Sequence, residues 1–127
     1  MIIPPLSIPG RNKLNSNIDW SNSHILLNWF TTTTDNFSVN ITDFNLFKSC
    51  KSLVIEIASK LNNDISPHIV SVNYILEHPN QSIIICSDPT AQYTWKIRYN
   101  QSQNNIQVWS TVQVVNSAWK SVRIIGI

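Results

Sequence analysis

Glycine and cysteine are scarce in this chain, and both shortages exclude classes of functional site. The 127 residues include only two glycines, Gly10 and Gly126, and two cysteines, Cys50 and Cys86. Loops that cradle nucleotide phosphates need several glycines, and the chain has no such loop. Two cysteines without C-x-x-C or Cys/His spacing predict buried, reduced thiols rather than a disulfide scaffold or a zinc site. We therefore expect no metal site and no cofactor.

Charge is also sparse, at 13% of residues with a formal net charge of +2. The basic residues are scattered, and their largest cluster is Lys48 with Lys51. Few and scattered positive charges produce a weak electrostatic field at the protein surface, which does not indicate nucleic-acid binding. The longest tight apolar run, 83–86, is far shorter than the roughly 20 residues of a membrane helix, and residues 1–6 lack the basic start of a signal peptide. We expect a soluble protein that does not insert into membranes.

Residues that favour strands dominate the composition. Ile, Val, Thr, Trp, Phe and Tyr supply 48 of 127 residues, against three Ala, two Glu and six Lys. This balance predicts an all-β fold. A chain of this length buries about two-thirds of its surface, so we expect one domain over 20–127. Residues 1–19 contain three prolines and a glycine without periodicity, which predicts an extended arm that packs on the body or on a neighbouring subunit.

Alternating apolar residues and turn residues predict about eight strands without βα alternation. The predicted strands are 24–32, 37–41, 52–59, 68–77, 82–87, 93–99, 106–114 and 118–127. The segment 43–61 is ambiguous, because Phe44 and Phe47 follow helical spacing while Leu53 and Ile55 alternate as in a strand. We interpret it as one short helix near 43–50, with Asp43 as a possible N-cap, followed by a strand. The pattern favours an antiparallel, jelly-roll-like β-sandwich.

The strands 93–99 and 106–112 predict their own pairing register through a two-residue turn at Ser102 and Gln103. The predicted pairs are Tyr99 with Ile106, Ile97 with Val108, Trp95 with Ser110, Tyr93 with Val112, Arg98 with Gln107, Thr94 with Thr111 and Lys96 with Trp109. In this register one face forms the core, and the opposite face carries an aromatic ring beside two cations.

Five residues are the candidates for a ligand or subunit interface. Aromatic rings on a β surface provide contact area for sugars and peptides at low entropic cost. The candidates are Trp109, Lys96, Arg98, Trp20 and Trp119. Trp109 faces outward in the predicted register, where a ligand, the amino-terminal arm or another chain is expected to cover it. Trp29 and Trp95 are predicted to be structural, since Trp29 lies in an apolar strand and Trp95 lies on the core face of the predicted register.

No combination of residues indicates catalysis. His24, His68 and His78 lie on three separate segments, without the spacing of a metal site or a catalytic triad. Glu56 stands in an apolar strand, and Glu77 is the only partner that we can nominate for a paired-carboxylate glycosidase. We therefore expect no catalytic residue and a protein that is not an enzyme.

The carboxy-terminal third carries a family resemblance. Residues 93–99 (YTWKIRY), 105–109 (NIQVW) and 116–127 (NSAWKSVRIIGI) resemble the terminal β-hairpins of bacteriophage tail-fibre and viral receptor-binding heads. The resemblance covers about 35 residues, and it implies a homotrimer on the virion surface that binds a cell-surface glycan or protein. Our leading hypothesis is a viral or phage attachment domain. The alternatives are a free-standing lectin or carbohydrate-binding module, and a small partner-blocking protein of the immunity type.

Overall fold

The computed structural model of the chain describes residues 20–33, 36–59, 66–88, 93–112 and 119–127. Eight strands in this part of the chain form two four-stranded antiparallel sheets. The strands are β1 (His24–Thr32), β2 (Ser38–Ile41), β3 (Ser52–Ser59), β4 (Ser66–Ser71), β5 (Ile83–Asp88), β6 (Tyr93–Asn100), β7 (Asn105–Val112) and β8 (Lys120–Gly126). The helices are α1 (Phe44–Ser49) and α2 (Val72–Glu77), and short 3₁₀ turns span Trp20–Asn22 and Gln101–Gln103. The predicted all-β sandwich is confirmed.

The order of strands is β1-β8-β3-β4 in the first sheet and β2-β7-β6-β5 in the second. Strands from the start of the described chain pair with strands from its end, β1 with β8 and β2 with β7, as in a jelly roll. By contrast, β3 with β4 and β5 with β6 pair as neighbours along the chain. Among the described residues, no helix has the length and apolar character needed to cross a bilayer. The predicted arm, 1–19, lies outside the described residues.

The ambiguous segment contains a helix followed by a strand, as predicted. The Asp43 side chain accepts a hydrogen bond from the backbone N–H of Leu46 at 3.0 Å, which caps α1 at its amino end. Phe47 anchors the helix in the core, and the backbone becomes extended at Cys50. The strand β3 then begins at Ser52, where β-branched residues make extended structure favourable.

The predicted strand 68–77 is wrong in its second half, because β4 ends at Ser71 and α2 follows directly. The Ser71 hydroxyl accepts from the backbone N–H of Tyr74 at 3.3 Å and thereby caps the helix. Val72 and Ile75, three residues apart, are both buried in the core on one side of α2. The helical spacing and the serine cap indicate this helix, whereas the alternation that precedes them favours a strand.

The register predicted for β6 and β7 is confirmed pair by pair, from Tyr93 with Val112 to Tyr99 with Ile106. The predicted two-residue turn is wrong, because Asn100 pairs with Asn105 and four residues connect the strands. A 3₁₀ turn and the left-handed Asn104, with φ of 50°, close this loop. Asparagine tolerates this conformation better than most residues, so the longer loop preserves the same register.

The main core lies between the two sheets. Trp95 is 1% exposed, and it packs edge to face on Phe37, whose ring stacks in turn on Phe30. Both cysteines are reduced thiols, and Cys50 is buried while Cys86 is half-buried, so the expectation of two buried thiols holds fully only for Cys50. A Cβ added to Gly126 would overlap the Cys50 Sγ. The close packing at this point of β8 therefore requires glycine, which has no side chain.

Candidate functional site

The outer face of the second sheet presents polar and aromatic side chains from three strands. On β6 and β7 the buried Trp95, Ile97 and Val108 face the core, and because side chains alternate along a strand, their neighbours project outward. The outward residues include Lys96, Arg98 and Asn100 on β6, Gln107 and Trp109 on β7, and Ser38 and Asn40 on β2. We call this surface the polar face.

Trp109 occupies the centre of the polar face. It lies between Ser38 on β2 and Lys96 on β6 in the strand register. The guanidinium carbon of Arg98 is 5.2 Å from the centre of the Trp109 ring. Such a cation–π contact contributes roughly 0.5–1 kcal/mol at an exposed site, and it restricts the orientation of both side chains. Three of the five predicted candidates, Trp109, Lys96 and Arg98, are therefore neighbours.

Amide side chains continue this surface toward the β6–β7 loop. The Nη2 of Arg98 donates to Gln107 Oε1 at 2.7 Å, and the Nδ2 of Asn100 donates to Asn105 Oδ1 at 3.0 Å. Asn100 also reaches Gln107 Oε1 at 3.5 Å. Hydrogen bonds between neighbouring side chains hold the planar groups in defined positions before any ligand arrives.

An open groove of about 310 Å³ lies at this end of the polar face. Its lining includes Asn40, Asn80, Arg98, Asn100, Gln103 and Gln107. Five of these six side chains are primary amides, which offer both donors and an acceptor, and the sixth is a guanidinium. The volume is at the lower end of the range for small-molecule sites, but the lining is polar rather than apolar.

Asn80 closes the groove by joining the turn after α2 to the β6–β7 loop. Its backbone N–H donates to the carbonyl of Tyr99 at 2.8 Å, and its Oδ1 accepts from the N–H of Gln101 at 3.2 Å. The residue has a φ of 63°, a left-handed conformation in which asparagine is enriched. In the sequence, Asn80 is recognisable only as a turn residue, and no sequence pattern predicts that it lines a groove.

The remaining tryptophans lie elsewhere. Trp20 begins the 3₁₀ turn before β1, and the half-buried Trp119 directly precedes β8, so both adjoin strands of the first sheet. Neither residue belongs to a strand of the polar face. Trp29 is half-buried, and its ring centre is 5.2 Å from the guanidinium carbon of Arg123, whereas Trp95 lies in the core. Trp29, which we predict to be structural, thus packs against the cation of Arg123.

The candidate acids and histidines do not converge. Glu56 is fully buried, and its Oε1 accepts from the Nε of Arg123 at 2.7 Å, while Glu77 is exposed at the end of α2. The Nδ1 of His78 is 2.8 Å from the carbonyl oxygen of Tyr74. Burial lowers the pKa of His68, which keeps this imidazole neutral. Within the described ranges, no three His, Cys, Asp or Glu side chains are placed to hold a metal ion.

Comparison of the chain with protein-family models, with curated proteins and with solved structures found no significant match. No relative therefore suggests a substrate or a partner. The chemistry of the polar face is the basis for a functional proposal.

Proposed function

We propose that this chain is a non-enzymatic attachment domain that binds a cell-surface glycan in the groove of the polar face. The observation that carries the proposal is the combination of amide side chains and one guanidinium with an indole ring beside them. Sugar hydroxyls both donate and accept hydrogen bonds, as amides do. The C–H face of a sugar ring packs on flat aromatic side chains, which supply apolar contact area cheaply.

The order already present in the groove supports binding of a flexible oligosaccharide. Arg98 is held by Gln107 on one side and by the Trp109 ring on the other. Side chains that are ordered before binding lose less conformational entropy when the ligand arrives. A shallow polar site of this kind therefore retains affinity for a ligand that contributes mainly hydrogen bonds.

The charge of the lining favours an acidic glycan. Among the described residues that line the groove, Arg98 is the only one with an ionisable side chain. Hydrogen bonds between a guanidinium and a carboxylate or sulfate are roughly twice as strong as those between neutral groups. Lys96, opposite Trp109, adds a second positive charge on the same face. We therefore expect carboxylated or sulfated oligosaccharides to bind more tightly than neutral ones.

An array of neutral, carboxylated and sulfated oligosaccharides tests this proposal, followed by calorimetry with the strongest ligand. We expect Arg98→Gln to weaken binding by about tenfold or more, since a hydrogen bond to a charged group contributes about 1.5–3 kcal/mol. Asn40→Ala should weaken it as well. Asn45→Ala on the exposed side of α1 and Lys51→Gln are the matched controls, and they should bind normally. Absence of binding across the array, or equal affinity of all four variants, would contradict the proposal.

The resemblance to receptor-binding heads supports a homotrimer on a virion surface as the setting for this site. Sedimentation equilibrium measures the mass directly, and we expect three times 14.5 kDa. The second candidate is a free-standing carbohydrate-binding module, because a single chain supplies the amide and guanidinium side chains that such a site needs. A monomer that binds the glycan with full affinity would support that second candidate over the attachment trimer.

A further inference from the structure

One exposed apolar side chain lies on the polar face, beside the residues that line the groove. Three large apolar side chains are exposed among the described residues, Ile69, Tyr74 and Ile84. Ile69 lies on β4 of the first sheet and Tyr74 on α2, whereas Ile84 lies on β5 of the second sheet. Ile84 pairs with Lys96, and residues directly opposite each other in antiparallel strands project from the same face. Ile84 therefore belongs to the polar face, where it is 62% exposed.

The packing of β5 holds Ile84 in this outward position. Its two neighbours along the strand, Ile83 and Ile85, pack against the main core. The strand pairing shifts between Ile84 and Cys86, so the bulge adds one residue before the next outward position on β5. A rotation of the strand that buried Ile84 would expose both of its apolar neighbours. The exposure of this side chain is thus a consequence of the fold.

Ile84 continues an apolar strip that begins at Trp109. The strand register places Lys96 of β6 between Ile84 and Trp109. Neighbouring strands are about 4.8 Å apart, so Ile84 and Trp109 lie roughly 10 Å apart across the sheet. Lys96 is half-buried, and lysine lays its methylene stem along apolar surface while its ammonium group stays in water. A single exposed isoleucine needs no explanation, but a strip of this kind beside a guanidinium offers contact area to a ligand.

Two hydroxyl groups lie in the next row of the same face. Ser87 of β5 pairs with Thr94 of β6, and their side-chain oxygens are 3.5 Å apart. Thr94 is two residues from Lys96 along β6, so alternation puts both side chains on the polar face, about 7 Å apart. Hydroxyl groups donate and accept hydrogen bonds. We call Ser87 and Thr94 the hydroxyl pair, and Ile84 lies between this pair and the row of the groove.

We propose that Ile84 and the hydroxyl pair form a subsite for an N-acyl group of the acidic glycan, an inference that rests on the proposed function. An N-acyl group joins an apolar methyl group to an amide, whose N–H donates and whose carbonyl oxygen accepts. Ile84 contacts the methyl group, and the hydroxyls of Ser87 and Thr94 bond the amide. Arg98 binds the carboxylate or sulfate of the same ligand.

The distance between the two subsites suits a single oligosaccharide. Arg98 and Lys96 are two residues apart on β6, so the row of Arg98 and the row of Ile84 are about 7 Å apart. That distance is shorter than a disaccharide. A sugar held through its acidic group at Arg98 therefore brings an N-acyl group of the same sugar or the next one over Ile84. A deoxy sugar also offers a methyl group, but it has no amide for the hydroxyl pair.

Calorimetry with charge-matched oligosaccharides tests the proposal. Two probes share a backbone of alternating uronic acid and amino sugar and differ only in carrying N-acetyl or N-formyl groups. The third probe is an oligouronate with the same number of carboxylates and no amino sugar. Burial of the additional methyl group should make the wild type bind the N-acetyl probe about fourfold more tightly than the N-formyl probe. Equal affinity for these two probes would overturn the proposal.

Serine substitutions at two exposed isoleucines locate the contact with the methyl group. Ile84→Ser should bring the ratio of N-acetyl to N-formyl affinity close to one and leave oligouronate binding unchanged. Ile69→Ser is the matched control, because Ile69 is 52% exposed on β4, an edge strand of the other sheet, and it should keep the fourfold ratio. Circular dichroism should match the wild type in both, as for most surface substitutions. If Ile84→Ser keeps the ratio, or Ile69→Ser loses it, the proposal is wrong.

Ser87→Ala tests the contact with the amide. Loss of one hydrogen bond should weaken binding of both the N-acetyl and the N-formyl probe by about two- to tenfold. The ratio between these two probes and the affinity for the oligouronate should stay as in the wild type. If Ser87→Ala binds all three probes as the wild type does, the ligand has no amide at this position and the assignment of an N-acyl group fails.

Arg98→Gln separates this inference from the proposed function. The substitution should weaken binding of all three probes, including the oligouronate, by about tenfold or more. Oligouronate binding that depends on Arg98, without any preference between the acyl groups, would support the proposed function and overturn the N-acyl subsite. Absence of binding by all three probes would overturn both.

Discussion

Two tryptophans on adjacent strands of the second sheet should differ sharply in their contribution to stability. Trp95 faces the core and is 1% exposed, with its ring centre 5.4 Å from that of Phe37 in an edge-to-face arrangement. Trp109 projects from the opposite face, half-buried, with Arg98 over its ring. Truncation of each residue to alanine removes the same atoms, so the difference reports only their surroundings.

The expected magnitudes follow from these surroundings. Trp95→Ala leaves a cavity between the sheets and should lower the free energy of unfolding by about 3–5 kcal/mol. About 0.5–1.5 kcal/mol of that loss comes from the edge-to-face contact with Phe37. Trp109→Ala removes a partly exposed ring and its cation–π contact, so we expect a loss of about 1 kcal/mol or less. The two variants should therefore differ by roughly 2–5 kcal/mol, by subtraction of these ranges.

Urea unfolding followed by far-ultraviolet circular dichroism measures both variants, because that signal comes mainly from the backbone of the strands, whereas tryptophan fluorescence would change with the removal of either tryptophan. The slope of the unfolding free energy against urea concentration should be the same in the variants and the wild type. The urea midpoints then compare the stabilities of these proteins directly. If both substitutions destabilise the protein equally by several kcal/mol, Trp109 belongs to a core and the outward polar face is refuted. If both cost little, Trp95 is not the core residue that we describe.

Three further predictions concern buried ionisable groups. Arg123→Met removes the guanidinium paired with the buried Glu56 carboxylate and should lower the free energy of unfolding by about 3–5 kcal/mol in urea titration. Arg123→Met combined with Glu56→Leu should recover most of the loss, and a double variant as unstable as the single one would contradict this. Because burial lowers the pKa of His68, the unfolded chain takes up the proton first, and stability should decrease as pH falls below about 6.5. The variant His68→Leu should show a smaller decrease in thermal midpoints between pH 7 and pH 5, and an unchanged decrease would assign the effect to other groups. Burial raises the pKa of the Cys50 thiol, so a thiol reagent should modify the half-buried Cys86 first and should count two thiols after unfolding; a count of zero would indicate a disulfide.

Local patterns in the sequence determined most of the secondary structure and one complete strand pairing. Alternation over 93–99 and 106–112 leaves a single register in which the aromatic and aliphatic residues of β6 and their partners on β7 form the core face, and Trp109 therefore points outward. Asp43 marks the start of α1 by its capping chemistry. The prediction failed at 72–77, where apolar residues three apart suit a helix but follow an alternating strand without a break.

The tertiary structure alone decided which distant residues meet. The groove combines Asn40 from β2 and Asn80 from the turn after α2 with Arg98 and Gln107 of the central hairpin. Asparagine is abundant throughout the chain, so no local signal distinguishes these two residues from the others. Likewise Glu56 and Arg123, 67 residues apart, become a buried ion pair only because β3 pairs with β8. Alternation acts between neighbours along a strand and predicts a face, whereas the order of strands in a sheet depends on long-range packing that no short segment encodes.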